Sequence, residues 1–271
     1  MGQVRVGRMG RAGRHRRAVR RRPAVRRRPS AWALAGTGFL AAMMAAQVLS
    51  GVRPRPIVLT SVVVALLAAS AVSYLAARHG LRRAAAAFGA AVAVGYVAEW
   101  VGVRAGVPFG EYSYTPVLRP QVGGVPVTVA VAWGGMGLAA HAVAASVLPE
   151  NRLARWAAGA LALTAWDLFL DPQMLRLGLW TWPDGGPYRG VPVSNFAGWL
   201  LVSFLVMVLI DVVVRRTDVS RGLVALYTVM AAMETLAFAA VFEPRDLLVA
   251  AAGGAAMGAF AVPAWRRAWR R

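Results

Sequence analysis

Asp167 and Asp171 lie four residues apart in an otherwise apolar run that ends at Pro172, so on a helix their carboxyl groups share one face about 6 Å apart. An ionised aspartate at the centre of a membrane helix costs roughly 2.5–3.5 kcal/mol on insertion scales. Two on one turn therefore require a chemical reason. Carboxylates that close resist double ionisation in a low dielectric. Asp171, directly before Pro172 at the expected helix end, also meets the negative end of the helix dipole. The expectation is one protonated acid beside one ionised acid, with the proton belonging to the pair.

Glu99 extends the set. It stands four residues before the expected helix end at Val103, as Asp167 stands four before Asp171, which places both acids about 6 Å inside the same membrane boundary. Trp100, Trp133 and Trp166 fall on the same helices, and desolvated indole faces stabilise a cation by up to about 2 kcal/mol. Such a set suits a reaction on an apolar substrate that passes through a carbocation. A buried acid donates the proton, aromatics hold the cation and a carboxylate guides a water. Simpler roles stay open: Glu99 and Asp167 could pair with Arg104 or Arg176, or hydrogen-bond to Asn195 and the loop backbone.

The remaining polar residues in apolar surroundings carry weaker signals. Glu111 falls in a loop and is open to solvent. Glu234 sits near the middle of a span, suited equally to a helix-packing hydrogen bond and to catalysis. Asp211 is expected to pair with Arg215, its i+4 neighbour. His141 has no second histidine nearby and reads as a packed residue, not a metal ligand. No phosphate loop, dinucleotide glycine motif, HExxH or nucleophile elbow is present, and no cofactor is expected.

The elements that must position these groups follow from composition. The chain of 271 residues is 58% hydrophobic with a mean hydropathy of +0.54, which excludes both an ordinary soluble domain and a disordered chain. The expected fold is an all-α polytopic membrane protein. Eight apolar segments approach the roughly 20 residues that cross a bilayer, near 31–51, 56–77, 84–103, 125–148, 154–171, 196–214, 222–243 and 246–263. Cysteine is absent, which excludes disulfides and thiolate metal sites.

All 31 basic residues are arginine, and their distribution sets the threading. Residues 1–29 hold 12 arginines among few apolar residues, a composition expected to stay disordered, to fix topology and to touch anionic membrane lipid. With that tail inside, 24 of the 31 arginines fall on the inner side. They include Arg78, Arg82, Arg83, Arg152, Arg155, Arg215, Arg216, Arg221 and a basic C-terminal tail over 264–271. The positive-inside rule thus gives eight spans over 30–263, both termini cytoplasmic and a cell-membrane location. The body is too apolar for a nucleic-acid partner.

Two long outer connections, 104–124 and 172–195, are rich in Gly, Pro and aromatic residues and are expected to fold back as interfacial or re-entrant loops. Tyr112, Tyr114, Trp180, Trp182 and Tyr188 suit either the headgroup level or a substrate channel. Each loop ends in the same run: Gly124-Val-Pro-Val127 precedes Trp133, and Gly190-Val-Pro-Val193 precedes Trp199, both tryptophans nine residues after the glycine. A duplicated helix–loop–helix unit with both copies crossing in the same sense would explain the match.

The runs AEWVGVRAGVPFGEYSYTPVLRPQVGGVPVTVAVAW and WDLFLDPQMLRLGLWTWPDGGPYRGVPVSNFAGWLL resemble the carotenoid biosynthesis protein family, and the resemblance covers about residues 85–215. It implies a membrane enzyme that adds water across the terminal trisubstituted double bond of an acyclic carotenoid end, of bacterioruberin or γ-carotene type, giving a tertiary alcohol. Neither a redox cofactor nor a metal is implied. Position then suggests Asp167 or Asp171 as proton donor, the other as water-orienting base, and Glu99 as a second orienter. Trp100, Trp133, Trp166, Trp180, Trp182, Tyr112, Tyr114 and Asn195 would contact the substrate. The implied partners are a carotenoid within the bilayer, membrane lipid and other carotenoid-pathway enzymes.

Two competing readings remain. A polyprenyl transferase would need a second aspartate-rich cluster to hold Mg²⁺-diphosphate, and D-x-x-x-D occurs once. A transporter or scaffold would use the membrane carboxylates for ion coupling and leave the pigment mass unchanged.

Overall fold

The computed structural model describes residue 2 and residues 30–52, 57–215 and 219–270. The arginine-rich tail, apart from Gly2, lies outside the described residues, as do Arg216 and Arg271 of the inner arginine set. The helices are α1 (Ala31–Val52), α2 (Ile57–His79), α3 (Leu81–Ala105), α4 (Val127–Val147), α5 (Arg152–Arg176), α6 (Val193–Val214), α7 (Arg221–Leu236) and α8 (Leu247–Arg270). All eight are long and apolar enough to cross a membrane, α7 when counted with its continuation to Val241. The chain is an all-α polytopic membrane protein, and the hydropathy spans match these helices closely.

α4 is the axis. Its 18-residue apolar window is 83% buried, against 17% for α1 at the periphery. Helices in lipid associate by close packing instead of water exclusion, so small residues mark their contacts. Gly134 and Gly135 on α4 do this: a Cβ at Gly134 would lie 2.5 Å from the Phe88 ring, and one at Gly135 would lie 3.0 Å from Leu67. Gly95 on α3 leaves the room that the Trp133 ring fills.

Three sequence expectations are corrected. α5 does not stop at Asp171 but continues through Pro172 to Arg176. Proline has no N–H for the carbonyl four residues back, and the Tyr188 hydroxyl donates to that carbonyl, Leu168 O, at 3.0 Å. Asp171 therefore lies inside the helix, and the dipole argument for it no longer applies. Residues 264–270, expected as a tail, are the last turns of α8.

Asp211 does not pair with Arg215, which takes a left-handed backbone (φ 57°) at the α6 C-cap. Its partners come from neighbouring helices. Arg155 Nη2 lies 3.0 Å away, Arg152 Nε 3.4 Å and His141 Nε2 3.3 Å, so α4, α5 and α6 are tied together at the end remote from Asp167.

At the opposite end the two long loops fold onto each other. β1 (Ser113–Tyr114) from the first pairs antiparallel with β4 (Trp180–Thr181) from the second, Ser113 opposite Thr181 and Tyr114 opposite Trp180. β2 (Gln121–Val122) pairs with β3 (Val125–Pro126) within the first loop. Phe109, Leu118, Leu179 and Val191 are buried beneath this cap. The two GVPV runs adopt the same form. Gly124 and Gly190 both have φ 87°, a conformation that suits glycine, and Pro126 and Pro192 each cap the helix that follows.

The connection into α8 is tied to the second loop. Asp246 accepts from the Val249 N–H at 3.1 Å, capping α8, and forms an ion pair with Arg189 at 2.6 Å. Burial works against its charge, but the Arg189 hydrogen bond, the Val249 N–H and the Arg189 and Arg176 charges outweigh this and hold the carboxyl below the usual aspartate range.

Candidate active site

The capped end of the bundle gathers acidic and aromatic groups from four helices and both loops. Glu99 on α3 is 4% exposed and accepts three hydrogen bonds. Trp133 Nε1 on α4 donates to Oε1 at 3.0 Å. The Tyr114 hydroxyl donates to Oε2 at 2.6 Å, and the Tyr112 hydroxyl donates to the same oxygen. Burial first, and then the adjacent Glu99 charge, raise both tyrosines above the usual phenol range. Each therefore stays a neutral donor. Of the simpler alternatives, pairing of Glu99 with Arg104 or Arg176 is not found among the described residues, whereas Asp167 does hydrogen-bond to Asn195. Arg104 donates to the carbonyls of Trp100 and Gly123, and Arg176 donates to Pro244 O.

Asp167 and Asp171 lie one turn apart on α5, and both are buried. One side chain serves the two: Asn195 Nδ2 on α6 donates to Asp167 Oδ2 at 2.8 Å and to Asp171 Oδ2. Asp167 Oδ1 is buried with no hydrogen-bond partner among the described residues. Glu99 is within electrostatic reach of both aspartates. Glu99 is thus fully satisfied by neutral donors, whereas the aspartate pair is short of them. A pair of buried carboxyl groups that shares one amide donor is completed by a proton of its own.

The aromatic residues form a continuous shell. Trp133 and Trp199 stack with ring centres 4.0 Å apart at 19°, so the two tryptophans matched by the GVPV spacing meet face to face. Trp166 meets Trp199 edge-on at 6.2 Å, and Tyr114 meets Trp180 edge-on at 5.5 Å. Tyr112 stacks on Trp182 at 5.8 Å, whose Nε1 is held by Phe109 O at 3.2 Å. Two adjoining cavities abut this shell. The smaller, about 40 Å³, is walled by Trp133, Trp166, Trp180 and Trp199. The larger, about 280 Å³, lies between α1, α2, α5 and α7 and shares Thr60, Val64, Trp166, Leu170 and Met174 with the first. Glu99, Asp167 and Asp171 line neither.

The structure brings together Glu99, Asp167, Asp171, Asn195, Tyr112, Tyr114, Trp133, Trp166, Trp180 and Trp182. It does not bring Trp100, which is 41% exposed with the Arg104 guanidinium 4.2 Å above its ring. Adjacent helical residues point about 100° apart, so an inward Glu99 turns Trp100 outward. Trp199 is the site residue that reasoning from chemistry passed over. Its nine-residue spacing from Gly190, matching that of Trp133, was the signal available. Glu111 is exposed, and His141 and Asp211 lie at the far end.

Comparison with known proteins places this arrangement. The family described as carotenoid biosynthesis protein matches the chain over residues 58–261, a range that holds every residue of the site. Bisanhydrobacterioruberin hydratase of Haloarcula japonica is 35% identical over 147 residues, covering 52% of this chain and 50% of the relative. The chain thus spans about half the length of that curated relative. No solved structure matches it.

Proposed function

We propose, from the premise that this chain belongs to the carotenoid biosynthesis protein family, that it is a hydratase of acyclic carotenoid ends in the cell membrane. The relative named a hydratase supports the reaction class. The observation that carries the mechanism is the aspartate pair bridged by Asn195 behind a cavity walled by four indoles.

Asp167 and Asp171 line neither cavity, so in this scheme the arriving substrate end displaces part of the aromatic wall, and the carboxyl group of one of them then gives its proton to the less substituted carbon of the terminal trisubstituted alkene. The π electrons form the new C–H bond and leave a tertiary cation. Trp133, Trp166, Trp180 and Trp199 turn ring faces or edges towards that space, and desolvated indole faces stabilise a cation by about 2 kcal/mol. Water then adds its oxygen to the cation and loses a proton to a carboxylate, giving the tertiary alcohol. Glu99 fixes Tyr112, Tyr114 and Trp133, and through them the shape of the shell. Proton, alkene and water account for every bond, so no metal or redox cofactor enters the scheme. The carotenoid reaches the site from the bilayer, with both chain termini on the cytoplasmic side.

The test is expression in hosts that accumulate lycopene, γ-carotene or bisanhydrobacterioruberin, followed by mass analysis of the extracted pigments. A pigment heavier by one water is expected from at least one host. Unchanged pigment in all three, with the protein present in the membrane, overturns the reading.

A further inference from the structure

Glu234 is the acidic side chain in the membrane-spanning helices for which neither the fold nor the mechanism above has a use. It lies on α7, 8% exposed, and its Oε2 is buried without a hydrogen-bond partner among the described residues. Unlike Glu99, Asp167 and Asp171, it lines the larger cavity. Gln47 on α1 and Trp166 on α5 line the same space, and Gln47 Oε1 and Trp166 Nε1 are likewise buried without a partner among the described residues. Buried polar groups are costly to leave unpaired, and native proteins retain them where a ligand or a reaction uses them. Here the side chains of Glu234, Gln47 and Trp166 border a single, otherwise largely apolar cavity.

The backbone beside Glu234 is also irregular. α7 opens into a π-helical turn at Ala237–Val241, and Ala237 and Val241 line the cavity. Such turns recur at functional sites because they widen a helix locally. Glu234, Gln47 and Trp166 all line this cavity, so a water held in it has side chains of the polar kind that a buried water requires around it. Trp166 also lines the smaller cavity, so the space that Glu234 borders adjoins the space assigned to the cation.

We propose that Glu234 is a second catalytic carboxyl of the hydration, holding the attacking water together with Gln47 and taking its proton. The proposal rests on the hydratase reading and deepens it. As the water oxygen forms the C–O bond to the cation, one O–H bond breaks and its proton passes to the Glu234 carboxylate. The aspartate pair has by then given its own proton to the alkene carbon. Glu234 releases its proton to water and the pair regains one from water, so each turnover adds one H₂O to the alkene.

The test compares wild type, Glu234→Gln and Gln47→Leu, purified in lipid discs with the carotenoid that wild type hydrates. Pigment retained per protein and the hydration rate against pH are measured. Glu234→Gln is expected to retain pigment, to hydrate at least about 100-fold more slowly and to lose the acid limb of the profile. Gln47→Leu is expected to slow hydration about tenfold, a smaller effect than loss of the base itself. Wild-type rates in Glu234→Gln overturn the proposal and leave the hydratase reading intact. Should Glu234→Gln lose pigment, Glu234→Asp decides: retained pigment with slow hydration supports the proposal, and lost pigment makes Glu234 a packing residue. Wild type that binds every pigment offered but hydrates none overturns the hydratase reading and this role together.

Discussion

The Tyr188 hydroxyl lies 3.0 Å from the carbonyl of Leu168, the acceptor that Pro172 leaves without its helical donor. The contact lets α5 carry Asp171 as an interior residue and ties the second loop to the helix that bears both aspartates. Removing one partner of such a bond costs about 1–3 kcal/mol when the acceptor is left buried. Tyr188→Phe is expected to lower stability by about 1 kcal/mol, the low end of that range because Tyr188 is only partly buried. Pro172→Ala restores a backbone donor, so the double variant should be more stable than the sum of the two single changes implies. Denaturation in detergent and a double-mutant cycle measure this; strict additivity would show that the contact carries no energy.

The Arg155–Asp211 pair, 3.0 Å at its shortest, yields a contrast with the expected Arg215 partner. The Arg155 side chain is 4% exposed, and a buried charge stripped of its partner costs about 3–5 kcal/mol. Asp211→Ala is expected to destabilise the protein by that order, and Arg215→Ala to change it by less than about 0.5 kcal/mol. Thermal unfolding of both variants checks the pair, and equal losses would contradict this assignment.

Asp246 gives the pH dependence. Its carboxyl is held below the usual range, so in the unfolded chain it binds a proton at a higher pH than in the folded protein. Its contribution is therefore present above about pH 4, the unfolded value, and is lost as pH falls through the lower folded value. Asp246→Asn should be less stable than wild type at neutral pH, with the difference shrinking on acidification below about pH 4. A gap that stays constant from neutral pH down into that range would refute the linkage. Melting temperatures of the two proteins across that range supply the measurement.

What was legible in the sequence had a local cause. The eight helices follow from hydropathy over one bilayer thickness, and the acids stood out because carboxylates in an apolar run are costly. The matched GVPV runs, read as the mark of a duplicated helix–loop–helix unit, share a positive φ of 87° at Gly124 and Gly190. What was not legible depended on distant chain. The donors to Glu99 come from 13 to 34 residues away. The continuation of α5 past Pro172 depends on a tyrosine 16 positions later in the chain. Asp211 was misassigned because the i+4 rule presumes a helix still running at Arg215, where the backbone turns left-handed. The orphaned oxygen of Glu234 depends on what α1 and α5 leave unfilled around it, which no local pattern encodes.

The most direct measurement takes the double variant Asp167→Asn, Asp171→Asn, which keeps both side-chain shapes while removing both acids. It is expressed in the host whose pigment wild type hydrates, and chain abundance in the membrane is matched to wild type. The expected result is accumulation of the unhydrated carotenoid, with hydrated pigment reduced at least about 100-fold, as general-acid catalysis requires. Hydrated pigment at the wild-type level from this variant would contradict a proton held by the Asp167–Asp171 pair.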